Sequence, residues 1–283
     1  MPKRGEFSLK ERAFNKLKEF IFRFIQDDVL ALASQLAYSL LFSIFPFLVF
    51  LISLIGYSDI SSNDILLILS NVLPKNALEL IENTVIKTAN SKNIELLCLS
   101  LILTLWALSG GFHAVIKGLN KAYDQRETRS IFKIYIISIL CTLGVTLIIL
   151  CTLLFLVFGQ MIGSFLAFKL GFSEGFGFLW NMLRYVIIFF GTIFIFAAVY
   201  ISTPNVRLTW RKVLPGAVFS TIGIVIASMG FAFYVNNFGN YSKIYGSIGA
   251  VIVLLTWLFI LSTITILGGE FNSVLFKKEK NRF

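Results

Sequence analysis

A chain of 283 residues with 57% hydrophobic and only 14% charged residues is not an ordinary soluble domain, which carries roughly 25% charged residues. Its mean hydropathy of +0.83 requires apolar surface to face lipid, and spanning segments use up the length a soluble catalytic domain would need. The net charge of +10 raises nucleic acid as a partner, so the placement of the basic residues matters more than their number.

Residues 1–28 hold seven Lys and Arg against five Asp and Glu. Phe14, Leu17, Ile21, Phe24 and Ile25 recur at helical spacing, which predicts an amphipathic cytoplasmic helix lying on the inner membrane surface. The first apolar run follows this polar, mixed-charge stretch and is too long for the h-region of a cleaved signal, so it is expected to act as an uncleaved anchor. That run, residues 29–56, exceeds the roughly 20 residues of helix that a bilayer requires. Gln35, Ser39, Ser43 and Pro46 fall on one face of it, at steps of four, four and three. Asp28, seven residues before Gln35, extends the line to the membrane edge.

Residues 57–93 form the longest polar excursion. Ser61-Ser62-Asn63-Asp64 is a good helix start, and the apolar piece after it stops at Pro74, too short to span. Leu78, Ile81, Val85 and Ala89 then suit an amphipathic helix, and an extracytoplasmic helical cap is expected. The second span covers about 94–112, followed by a basic segment, 113–133. The third covers about 134–158 and leads into a Gly-rich, aromatic link. The fourth, about 179–201, ends at Thr203-Pro204-Asn205.

The fifth span, about 213–235, carries Gly216, Ser220, Gly223, Ala227 and Gly230 at steps of four, three, four and three. Such a narrow face lets another helix approach closely, for packing or, in the sharper alternative, for sliding. The sixth, about 245–276, carries Gly249, Thr256, Thr263 and Glu270 every seven residues, again on one face. A basic tail, 277–283, follows. The expected fold class is all-α: a polytopic membrane protein with six transmembrane helices, an extracytoplasmic cap and an N-terminal amphipathic helix.

Lys and Arg collect on the cytoplasmic side of membrane proteins. Counted over alternate compartments, one side holds nineteen (residues 1–28, 113–133, 202–212 and the tail) and the other five. Both termini are therefore expected in the cytoplasm. The same placement explains the charge: these residues fix topology and touch anionic headgroups, so the expected partners are membrane lipids and no nucleic acid is needed.

Cys98, Cys141 and Cys151 lie inside apolar runs, with no CxxC and a single His, which excludes an obvious zinc site or disulfide framework. No P-loop, GxSxG or HExxH occurs, so no catalytic residue, cofactor or metal is expected, and His113 is expected to cap the second span. Asp28, Gln35, Ser39, Ser43, Thr256, Thr263 and Glu270 are the candidates for a polar cavity open to the cytoplasm, since intramembrane polar groups usually face protein or water. The alternative is helix–helix contact with carboxylates at headgroup level. Tyr241 and Tyr245, in a Gly-rich stretch on the outer side, are candidates for a gate or for interfacial anchors.

LAYSLLFSIFP (36–46), LWALSGGFHAVIKGLNKAYD (105–124), PNVRLTWRKVLPGA (204–217), NYSKIYGSIGAVIVLLTWLFI (240–260) and LGGEFN (267–272) together resemble the YihY/virulence factor BrkB family, in order and across the membrane region. The resemblance implies an inner-membrane protein with six spans and cytoplasmic termini. It also implies export or translocation of envelope components, lipids among them, and brings an old label, ribonuclease BN, that the residues do not support. It carries over no catalytic residues. Translocation of a lipid-like or amphipathic envelope component is therefore the leading reading. A non-transporting scaffold that binds envelope proteins is the alternative, and a membrane-bound ribonuclease is the least favoured.

Overall fold

The computed structural model describes residues 9–56, 86–87, 93–147, 176–238 and 247–276. Helix α1 (Leu9–Gln26) stops where Asp27 and Asp28 turn the chain. Asp28 has a φ of 53°, a left-handed conformation that Asp tolerates better than most residues with a side chain. The Leu32 amide already donates to the Asp28 carbonyl at 3.1 Å, so α2 (Val29–Ile55) follows at once, with Pro46 inside it.

Helix α3 (Ile94–Ala122) is capped by Asn93, whose Oδ1 accepts the amides of Glu95 and Leu96 at 2.9 and 3.1 Å. It does not stop at Phe112 as expected. Ala114, Val115, Ile116, Leu119 and Ala122 are buried, and their helical spacing carries the helix through the basic segment to Ala122. His113 therefore lies inside α3 and not at its end. The helix closes at Asp124 (φ 51°) with the Asp124 amide on the Lys121 carbonyl at 2.9 Å and the Gln125 amide on the Asn120 carbonyl at 2.8 Å. That is the Schellman pattern with Asp in the place glycine usually takes.

Helix α4 is described over Ile131–Leu147, and the rest of the third expected span lies outside the described residues. So do most of the expected cap, the C-terminal tail, and both candidate gate tyrosines, Tyr241 and Tyr245. The remaining helices are α5 (Phe176–Ser202), α6 (Trp210–Phe238) and α7 (Ser247–Phe276). Among the described residues there is no strand. Five stretches are long and apolar enough to cross a membrane: Val29–Leu54, Ile94–Ala122, Met182–Ser202, Trp210–Val235 and Val251–Phe276. Large apolar side chains on them, such as Trp106, Phe190, Met229 and Phe233, are exposed, as an all-α polytopic protein in lipid requires.

The described residues fall into two compact units. The first comprises Met1–Leu32, Val115–Ile226 and Thr263–Phe283; the second comprises Ala33–Ala114 and Ala227–Ser262. In the first, α6 and α7 meet at Gly216 and Gly268. A Cβ on Gly216 would overlap the Gly268 carbonyl and the Asn272 amide, and one on Gly268 would overlap Ser220, Tyr200 and the Gly216 carbonyl. Only glycine permits this approach of two backbones. In the second unit, Gly110 and Gly111 of α3 face Ser39 and Leu36 of α2 in the same manner, with less crowding.

Candidate functional site

The first unit holds a buried polar layer built around Arg23, which is 5% exposed. Its Nη1 donates to the carbonyl of Ala122 at 2.6 Å and to Ser273 Oγ at 3.4 Å. Its Nη2 reaches Asp124 Oδ2 at 3.3 Å, and its Nε lies 3.6 Å from Glu19 Oε1. Two further carboxylates, Asp27 and Glu270, each stand 3.8 Å from Nη1. Ala122 ends α3, and its carbonyl has no partner within that helix. The guanidinium supplies one, and its charge also suits the negative end of the helix dipole. Ser273 of α7 donates to the same carbonyl. One side chain of α1 thus joins the ends of α3 and α7.

Glu270 is fully buried, and neither of its oxygens accepts a hydrogen bond among the described residues. Beside it, burial first and the Glu270 carboxyl second push the Tyr123 phenol above its ordinary range, so that phenol stays neutral.

Deeper along α7 lies a second buried network. Tyr200, fully buried, donates to the Thr265 carbonyl at 2.6 Å and sits 2.7 Å from Ser220 Oγ. Ser220 also reaches the Ile264 carbonyl at 3.2 Å. Asn272 accepts from the Gly216 amide at 2.6 Å and donates to the Val213 carbonyl at 3.1 Å. Its side chain thereby serves the backbone of α6 around Pro215, whose ring cannot donate. Phe219 and Phe271 stack at 4.9 Å, with Phe20 of α1 edge-on to both.

Two connecting segments lock together in the same unit. Asn120 Nδ2 donates to Glu127 Oε2 at 2.8 Å, and Asn120 Oδ1 accepts the Asn205 amide at 2.6 Å. Arg129 holds Glu127 through Nε at 2.8 Å and Nη2 at 2.6 Å, and the same Nη2 donates to the Thr203 carbonyl at 2.8 Å. This two-pronged hydrogen bonding lowers the Glu127 carboxyl to about 2.

The second unit offers a different feature. A groove of about 480 Å³ opens between Ser34, Ala37 and Tyr38 of α2 and Leu255, Thr256 and Phe259 of α7. Each triplet follows helical spacing, so each presents one face. Tyr38 packs on Phe42 with ring centres 4.5 Å apart. The wall is apolar with hydroxyls and no charge, and Thr256 Oγ1 is engaged by its own helix, donating to the Ile252 carbonyl at 2.8 Å.

The seven cavity candidates belong to both units: Asp28, Thr263 and Glu270 to the first, and Gln35, Ser39, Ser43 and Thr256 to the second. Thr256 lines the groove, whereas Gln35 is exposed and is not part of its lining. Ser39 lies against Gly110 and Gly111 of α3, and Ser43, buried, donates to the Leu40 carbonyl at 2.7 Å. Asp28 is exposed and pairs with Lys121 at 2.6 Å, and Thr263 is half-buried. Glu270 belongs to the Arg23 layer. Of the small-residue face, Gly216, Ser220 and Gly223 meet α7, the last against Ile264, whereas Ala227 is half-buried and Gly230 has nothing within 4 Å of a notional Cβ. Sequence reasoning missed Arg23, Asn272 and Tyr200. An arginine in the last turn of a helix that otherwise looks like a surface anchor was the available signal for the first.

The family model for virulence factor BrkB matches residues 20–283. The ribonuclease-like protein YfkH of Bacillus subtilis is 39% identical over 93% of this chain and 96% of its own length. A membrane protein of the UPF0761 group from Tolumonas auensis is 28% identical over 98% of this chain and 89% of its own. One from Chromohalobacter salexigens is 27% identical over 90% and 61%. No solved structure matches.

Proposed function

The chain belongs to the virulence factor BrkB family of membrane proteins, and on that footing we propose that it translocates a lipid-like or amphipathic envelope component. The observation that carries this reading is the uncharged groove of the second unit. Its volume of about 480 Å³ falls within the roughly 300–1,000 Å³ usual for ligand pockets. Aliphatic and aromatic walls suit an acyl or isoprenoid chain, while the Tyr38 hydroxyl suits the ester or ether oxygens next to it. Purified protein in vesicles tests it: fluorescent phospholipid should exchange leaflets faster than in empty vesicles, and Leu255→Trp, which fills the groove, should abolish the gain. No protein-dependent exchange would end the reading.

Orientation is part of the proposal. With nineteen Lys and Arg on one set of segments and five on the other, both termini lie in the cytoplasm of a bacterial inner membrane. Reporter fusions active only in the cytoplasm or only outside it, placed at both ends, check this. Basic residues then serve topology and lipid headgroups rather than nucleic acid. The ribonuclease-like name belongs to YfkH. Here Asp27, Asp124 and Glu270 gather around the Arg23 guanidinium, an arrangement that favours ion pairing over metal-dependent cleavage of RNA.

A further inference from the structure

Helix α1 has two faces of opposite character. One is docked: Arg23 is tied into the buried layer, and Phe20 lies edge-on to Phe219 of α6 at 6.2 Å and Phe271 of α7 at 6.3 Å. The other carries Phe14, Leu17, Ile21 and Ile25, at steps of three, four and four, exposed by 67, 56, 55 and 73%. Because the docked face is fixed by ion pairs and ring contacts, the helix cannot roll to hide the apolar one. Four large apolar residues in a row on a folded surface mark a site that something covers.

We propose that the exposed face of α1 is embedded in the headgroup–acyl boundary of the bilayer, while Arg23 on the other face grips the ends of α3 and α7. Three observations select lipid as the occupant. Only Asp27 and Asp28 separate α1 from α2, a helix long and apolar enough to span, so Ile25 lies within a turn or so of the point where the chain enters the bilayer. The exposed apolar residues continue across that turn to Leu30 on α2. Lys18, exposed at the edge of the stripe, is placed to reach headgroup phosphates with its ammonium while its stem stays on apolar surface. An amphipathic helix of this kind lies in the interface plane, its apolar side a few ångströms below the headgroups. The inference is independent of what the protein transports. It makes Arg23 the point at which a helix seated in lipid is coupled to the ends of two spanning helices.

The test uses full-length protein with Cys98, Cys141 and Cys151 replaced by Ser, one copy per lipid nanodisc. Single cysteines at Phe14, Ile21 and Asn15 carry an environment-sensitive fluorophore; Asn15 is exposed about 100° round the helix from Phe14. The labels at Phe14 and Ile21 should be blue-shifted and quenched severalfold more by lipids spin-labelled near the top of the acyl chain than by aqueous iodide, with the reverse at Asn15. Equal iodide quenching at Ile21 and Asn15 would place the face in water and overturn the proposal. Shielding of Phe14 and Ile21 from both quenchers would mean that protein covers the face, and would overturn it as well.

Discussion

The two units solve opposite problems with the same helices. In the first, α6 and α7 approach until only Gly216 and Gly268 fit between them, and polar side chains are buried beside the contact: Tyr200, Ser220, Asn272, Arg23. In the second, α2 and α7 leave a groove of about 480 Å³ whose polar lining is limited to hydroxyls. Dense polar packing commits helices to one arrangement, because every alternative strands a buried donor or acceptor. An apolar groove makes no such demand, since lipid chains are as good a neighbour as Leu. The contrast assigns rigidity to the first unit and accommodation to the second.

Removing Arg23 should break that contrast most severely. Arg23→Ala leaves the buried Ala122 carbonyl short of a donor and opens a gap beside Glu270, a loss of about 1–3 kcal/mol by the usual cost of a buried polar group left without its partner. Denaturant unfolding in detergent should register it, and Arg23→Ala combined with Glu270→Gln should recover part of the loss. No recovery would mean that the carboxylate is not what Arg23 balances.

Glycine substitutions come next. Gly268→Ala should cost about 1–3 kcal/mol, since the added methyl meets the backbone of α6. Gly230→Ala should be neutral or slightly stabilising, by up to about 1 kcal/mol, because nothing stands within 4 Å of it. Equal effects would erase the difference between the two units. Side-by-side thermal melts suffice to compare them.

Acid offers a gentler probe of the first unit. The Glu127 carboxyl is lowered from 4.5 to about 2 by Arg129, whose hydrogen bond is the largest cause. Its stabilising share is therefore complete above about 4.5 and disappears as pH falls towards about 2. Glu127→Gln should flatten that part of the pH–stability curve while changing little at neutral pH beyond the loss of one ion pair. The smallest stability effects belong to the groove. Thr256→Val and Leu255→Trp should shift unfolding by no more than about 0.5 kcal/mol, yet Leu255→Trp should still block lipid exchange.

The expected polar line from Asp28 through Gln35 to Ser43 shows how far sequence reasoning carries. Its helical phase was legible, because spacing alone determines which residues share a face. Which face meets protein was not: Gln35 is exposed, Ser43 bonds its own backbone and Asp28 pairs with Lys121 in the open. Glu270 drew notice as a charge in an apolar run, but its partner, Arg23, lies 247 positions away and in sequence looks like one more basic residue of a surface helix. Contacts so distant along the chain leave no trace in local spacing. The extension of α3 to Ala122 was hidden differently, since its lysines read as a loop until Leu119 and Ala122 are seen buried.

Apolar length and helical period, which are local quantities, determined by themselves that this is a helical membrane protein, and the asymmetric placement of Lys and Arg supports an orientation. Family membership was likewise legible, carried by separated segments in order. Tertiary structure alone decided that Arg23 is buried, that Asn272 serves the backbone beside Pro215, and that the groove is walled by Ser34 and Tyr38 rather than Gln35. The physical reason is that burial and ion pairing depend on which helices become neighbours and at what rotation. In an apolar setting, where every face of a spanning helix is hydrophobic enough for lipid, composition does not reveal that choice.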